Sequence, residues 1–83
     1  MDFYAILNPN DSSDIRNIFI TDLGDDRLDL RVLDHTDRSW VDHPDLIAYL
    51  GDGPRAGQCR RIDEDEARRL LAEWGAPFPQ RAD

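Results

Sequence analysis

The 83-residue chain contains no lysine; its ten cationic side chains are all arginine. Glutamate is also scarce, three against fifteen aspartates, so the formal net charge of −8 is carried almost wholly by short carboxylates. Nucleic acids and anionic membranes are held mainly through Lys and Arg, so this balance argues against direct binding to either. Cysteine occurs once, at Cys59. No internal disulfide can form, which excludes a disulfide-stapled secreted scaffold. No apolar run approaches the roughly 18 residues that a membrane-spanning helix needs. The start Met1–Leu7 lacks the basic opening and long apolar stretch of a signal peptide, so a cytoplasmic location is expected. Paired-cysteine motifs, a glycine-rich phosphate loop and a serine nucleophile elbow are missing as well. The expectation is a chain that is not an enzyme, takes no cofactor and has no small-molecule substrate.

Apolar residues are sufficient for one core. Leu, Ile, Val and Phe total twenty of 83, above the level that signals disorder. Residues Phe3–Leu7 read as a first strand, and the turn chemistry of Asn8 to Ser13 predicts a loop ending near Asp14. Ile15–Leu23, rich in Ile, Phe and Thr, reads as a second strand. Arg27–Leu33 alternates cleanly, which places Leu28, Leu30 and Val32 toward the core and Arg27, Asp29 and Arg31 toward water. A three-residue loop, Gly24–Asp26, between those two runs predicts an antiparallel hairpin.

The stretch Asp34–Asp45 is polar, with Trp40 and Val41 its only large apolar residues. Pro44 suits the first position of a short helix, with Leu46, Ile47 and Leu50 as its apolar face and Gly51 as its cap. Gln58–Arg61 reads as an edge strand. In the C-terminal segment Asp63 is an N-cap with Glu66 three residues on. Ile62 can staple onto Ala67, while Ala67, Leu70, Leu71 and Trp74 form one stripe and Gly75 ends the helix. The predicted fold is α+β: an antiparallel sheet of three to four strands with one C-terminal helix packed on it and a short second helix. Residues 1–78 form one domain, and 79–83 a flexible tail.

Few groupings point to chemistry. Both histidines sit in an Asp-His-x-Asp repeat, Asp34–Asp37 and Asp42–Asp45, and imidazole with carboxylate is a reasonable ligand set for a transition metal. His35, His43 and Asp37 are the candidate ligands if that loop folds back, although Asp is common enough here to stand beside each His by composition. Asn8, Asn10, Ser12 and Asp14 have the spacing of a calcium loop without its glycine and terminal acid, so turn formation explains them better. Cys59 is flanked by Arg60 and Arg61, cations able to lower a thiol pKa, but a free cysteine in a strand ordinarily packs as a small apolar residue. Trp40 either packs against the short helix or stands exposed as a binding anchor ringed by Asp37, Asp42 and Asp45.

The order of features resembles small acidic proteins of high-G+C actinobacteria that have no established activity. It runs from a short N-terminal strand through a polar hairpin and Trp40, ahead of a Leu/Tyr helix reaching Tyr49. A strand then enters Ile62-Asp63-Glu64-Asp65-Glu66-Ala67. The likeness implies a G+C-rich genome, which would write Arg for Lys, and transfers no functional residues. The leading expectation from the residues is a binding module of the inhibitor, immunity or antitoxin kind, occluding a basic surface of a partner protein, with mimicry of nucleic-acid phosphates if that partner binds DNA or RNA. Asp34, Asp37, Trp40, Asp42 and Asp45 are its first candidate residues, with Asp25, Asp26 and Asp29 second. A small metal-binding or metal-sensing protein and an accessory subunit of a larger complex are the alternatives.

Overall fold

The computed structural model describes residues 1–23 and 27–80. Among them, five strands form one antiparallel sheet: β1 (Asp2–Asn8), β2 (Asp11–Leu23), β3 (Leu28–Asp34), β4 (Ser39–Asp42) and β5 (Cys59–Ile62). Their order is β4-β3-β2-β1-β5, so the thirteen-residue β2 lies at the centre. The fold is α+β, with one strand more than the sequence suggests. The additional strand is β4, whose Trp40 and Val41 pair with Leu33 and Val32. The expected hairpin between the second and third strands is present, with Leu23 opposite Leu28. Gly24, Asp25 and Asp26 lie outside the described residues.

The first turn is tighter than turn chemistry alone predicts. Asn8 pairs with Asp11, leaving Pro9 and Asn10 as the connection, and the strand resumes four residues before Ile15. Local side-chain bonds make this possible. The Asn10 N–H donates to Asn8 Oδ1 at 3.0 Å, and the Ser13 N–H and hydroxyl both donate to Asp11 Oδ1 at 3.0 and 2.6 Å.

Helix α1 (Glu64–Trp74) follows the sequence signals closely. The Glu66 N–H donates to Asp63 Oδ1 at 2.7 Å, and Gly75 takes the left-handed conformation (φ 65°) that lets the chain leave. A side chain at Gly75 would also meet the Arg38 guanidinium at 3.3 Å. Ile62 and Ala67, the staple pair, are both buried. With Leu70 and Leu71 they close one sheet face over Phe3, Ala5, Ile18, Ile20 and Leu33.

The opposite face is also covered. Residues Pro44–Tyr49 form a 3-10 helix, not an α-helix. At about three residues per turn, positions i and i+3 eclipse, so Leu46 and Tyr49 meet the sheet together while Ile47 is left 56% exposed. This corrects the expected Leu46–Ile47–Leu50 face. Below the 3-10 helix Phe19 is fully buried, stacked on Tyr4 (centroids 5.0 Å, 9°) and tilted against Tyr49 (5.6 Å). A short 3-10 turn, Ala56–Gln58, leads into β5. Before it, Gly53 is held so close to the chain that a Cβ would lie 2.3 Å from the Ala48 carbonyl oxygen.

Covering both faces reverses the expected orientation of β3. Its alternation is real, but Asp29, Arg31 and Leu33 share the α1 side, and Leu28, Leu30 and Val32 share the 3-10 side. Asp29 is therefore buried (7% exposed) and Leu28 is 44% exposed, the opposite of the sequence expectation. Two acceptors and two donors reconcile this polar pair with the interior. Arg27 and Arg31 stand 3.3 and 3.5 Å from the Asp29 carboxylate, and Arg31 also donates to the Gln80 carbonyl. The Arg31 Nε contact is Coulombic only, because that atom has no aligned hydrogen bond. Pro79, the residue before Gln80, is buried.

Candidate functional site

The sequence candidates lie along one side of the sheet, on and around edge strand β4, but do not form a single ring. Asp34 ends β3 and works locally, its Oδ1 accepting from the Thr36 N–H at 2.9 Å. That bond shapes the four-residue turn to β4, in which Arg38 adopts φ 54°. Asp37 is exposed in the same turn. Asp42 is exposed at the far end of β4, opposite Arg31, and Asp45 is exposed in the first turn of the 3-10 helix. Strand β4 (Ser39–Asp42) separates the two pairs of acids, its three steps spanning about 10 Å at the usual rise per residue.

Trp40 is half-buried and packs on the α1 side, not against the short helix. Its indole N–H donates to the Pro77 carbonyl at 2.9 Å. The residue thus fastens the segment after α1 to the sheet, and the exposed-anchor expectation is corrected. Asp29, expected at the hairpin surface, is buried in its arginine pair and is removed from the binding face. Asp25 and Asp26 lie outside the described residues.

The histidines do not converge. His35 sits in the β3–β4 turn with its ring 5.1 Å from Trp74, on the α1 side. His43 follows β4 at the other end, where its N–H donates to the Leu30 carbonyl at 2.9 Å. No group of three His, Cys, Asp or Glu side chains placed to hold a metal ion occurs among the described residues.

Cys59 is half-buried in β5, its thiol within 3.3 Å of the Tyr49 carbonyl oxygen. Burial pushes its pKa up, the reverse of what flanking arginines suggest. Those arginines are engaged elsewhere: Arg60 with Glu66 at 3.0 Å and Arg61 with Asp2 at 2.7 Å. The thiol is therefore held in its less nucleophilic form.

Ion pairing sets the electrostatic pattern. Besides the pairs above, Arg68 lies 3.3 Å from Glu64, and Arg69 lies 3.6 Å from Glu73. Arginines thus neutralise acids on α1, β1 and β3. Exposed Asp37, Asp42 and Asp45 mark the β4 side, beside Val41 (37% exposed) and Ile47. A groove of about 220 Å³ opens there, between Leu28, Leu30, Asp42, His43 and Pro44. A second of about 200 Å³ lies under the 3-10 helix, near Val32, Tyr49 and Arg55. A larger hollow of about 390 Å³ by the start of α1 mixes Asp2, Asp63 and Glu64 with Arg61, and its Asp2–Arg61 pair is already closed. Sequence reasoning identified the acids of the β4 side but missed its apolar members, Leu28 and Ile47, because both read as core.

No family model, curated protein or solved structure matches the chain. No helix among the described residues is long and apolar enough to cross a membrane.

Proposed function

We propose that the chain is a non-enzymatic protein-binding module of the inhibitor, immunity or antitoxin kind, which sets the acidic β4 side against a basic surface of a partner protein. The observation that supports this reading is the gathering of exposed acids along one edge. Arginines are drawn into contacts with Asp29, Glu64, Glu66 and Glu73, whereas Asp37, Asp42 and Asp45 stay exposed along one edge. Such a surface attracts a cationic partner at long range and orients it during approach. Where the partner binds nucleic acid, a row of carboxylates can occupy phosphate sites. Inhibition in that case is steric.

The test is capture of the partner from the host cytoplasm with the tagged chain, followed by association rates of the purified pair at low and high salt. Steering of this kind predicts a rate that falls about tenfold or more as salt shortens the screening length from roughly 10 Å at 0.1 M to 3 Å at 1 M. A rate unchanged by salt overturns the reading.

A further inference from the structure

We propose that the groove where β4 leaves β3 is a strand-addition site for an extended segment of the basic partner in which apolar residues alternate with Arg or Lys. This rests on the acidic-surface reading above and adds to it a docking mode and an occupant.

The backbone carries the first part of the argument. Strand β3 runs over Leu28–Asp34, yet β4 pairs with it only over Arg31–Asp34. One more bond, from the His43 N–H to the Leu30 carbonyl, closes the ladder. Pro44 then turns the chain onto the 3-10 face. In an antiparallel ladder the N–H and C=O of a residue point to one side, and every second residue points the same way. Leu28 therefore directs its peptide groups to the side that Leu30 shows to His43, beyond the end of β4. Native edges of this kind are usually blunted by lysine, proline or a bulge; this chain has no lysine, and Pro44 lies on the 3-10 segment, not on the β3 edge.

Side chains carry the second part. Leu28 is 44% exposed, its cross-strand neighbour Leu23 is 79% exposed, and Ile47 is 56% exposed. Pro44 and Ile47 are three residues apart on the 3-10 helix and so lie on one line, which extends the apolar strip from the groove along the helix. A strip of this kind matches alternate apolar side chains of an added strand. Asp42 on the rim and Asp45 in the next turn are exposed acids, while Arg27 on the same rim is paired with Asp29. The complement is therefore apolar and cationic. A second copy of the chain fits poorly, because it brings a net charge of −8 and its own Asp42 and Asp45.

The test uses the full chain, labelled with ¹⁵N at low salt, and four blocked peptides. The first is the heptapeptide Arg-Val-Arg-Leu-Arg-Val-Arg. Two are versions of it N-methylated on one or the other alternate set of amides, and the last is an Arg-Gly peptide of equal charge. The expected result is binding of the parent peptide with shifts at Leu23, Leu28, Leu30 and Ile47. One methylated version should lose at least tenfold in affinity and the other little, since an added strand bonds through one edge only. Ile47→Ser and Leu28→Ser, at exposed positions, should each weaken the parent peptide several-fold and leave the Arg-Gly peptide unaffected. Equal binding of all four peptides overturns strand addition and leaves the acidic-surface reading standing. Binding of none overturns both. Shifts at the same residues that grow with protein concentration, without peptide, identify a second copy as the occupant and also overturn the proposal.

Discussion

Replacing Asp29 by alanine tests the reversed face of β3, on which the exposed Leu28 and the binding groove both depend. The Asp29 side chain is 9% exposed and the Arg31 side chain 16% exposed, so the substitution leaves a largely buried guanidinium without its carboxylate. Breaking a fully buried pair costs about 3–5 kcal/mol, and an exposed pair is worth only about 0–1 kcal/mol. Three features place Asp29 below the buried range. Its distances of 3.3 and 3.5 Å are long, Arg27 is 73% exposed, and Arg31 keeps a second acceptor at Gln80. The expected loss is therefore about 2–3 kcal/mol. For a domain of this size it corresponds to a fall in Tm of roughly 10–20 °C.

Urea and thermal denaturation followed by circular dichroism supply the assay, with Leu28→Ala as the companion variant. Leu28 is already 44% exposed, so its truncation should cost about 1 kcal/mol or less, against the 2–5 kcal/mol typical of a buried leucine. A small effect at Asp29 together with a large one at Leu28 would refute the reasoning. That pattern belongs to a β3 whose leucines face the only core.

Two further outcomes follow from the packing. Phe19→Ala should cost about 3–5 kcal/mol by chevron or equilibrium denaturation, because its ring is fully buried between Tyr4 and Tyr49; a loss below 1 kcal/mol would show that the 3-10 face is not a second core. The Cys59 thiol, its pKa raised by burial, should react with a disulfide reagent more slowly in the native chain than in urea. Folding here favours the protonated thiol, so its stabilising contribution is complete below the unfolded-state pKa, near 8.5, and is lost as pH rises through the higher folded value. Stability that is flat across that alkaline range would contradict this.

Much of the fold was legible where several signals agreed. The cap at Asp63, the stripe from Ala67 to Trp74 and the stop at Gly75 all specify one helix, and it forms where they place it. The β2–β3 hairpin was legible for the same reason. Strand β4 was not, because four residues with two polar ends carry too little pattern, and its turn relies on Arg38 at a positive φ instead of a glycine. Alternation in β3 showed the period but not the phase: two covered faces accept either set, and only the arginines around Asp29 reveal which set is enclosed. The site was legible as a segment rich in Asp but not as a surface. Trp40 is drawn to the α1 side by a hydrogen bond to Pro77, 37 residues away in sequence, and no local pattern reports such a contact.

The most direct test of the proposed function compares two charge reversals of equal size. Asp42→Lys with Asp45→Lys alters the β4 side, whereas Asp52→Lys with Asp65→Lys alters exposed residues outside it, in the loop after the 3-10 helix and in the first turn of α1. The measurement is the association rate with the captured partner at low salt, made on variants whose folding is confirmed by circular dichroism. A rate lowered about tenfold or more by the first pair and only slightly by the second is the expected result, because the acidic edge acts through its position. Equal losses from both pairs would show that net charge alone matters, and no loss from either would show that the acids of the β4 side take no part in binding.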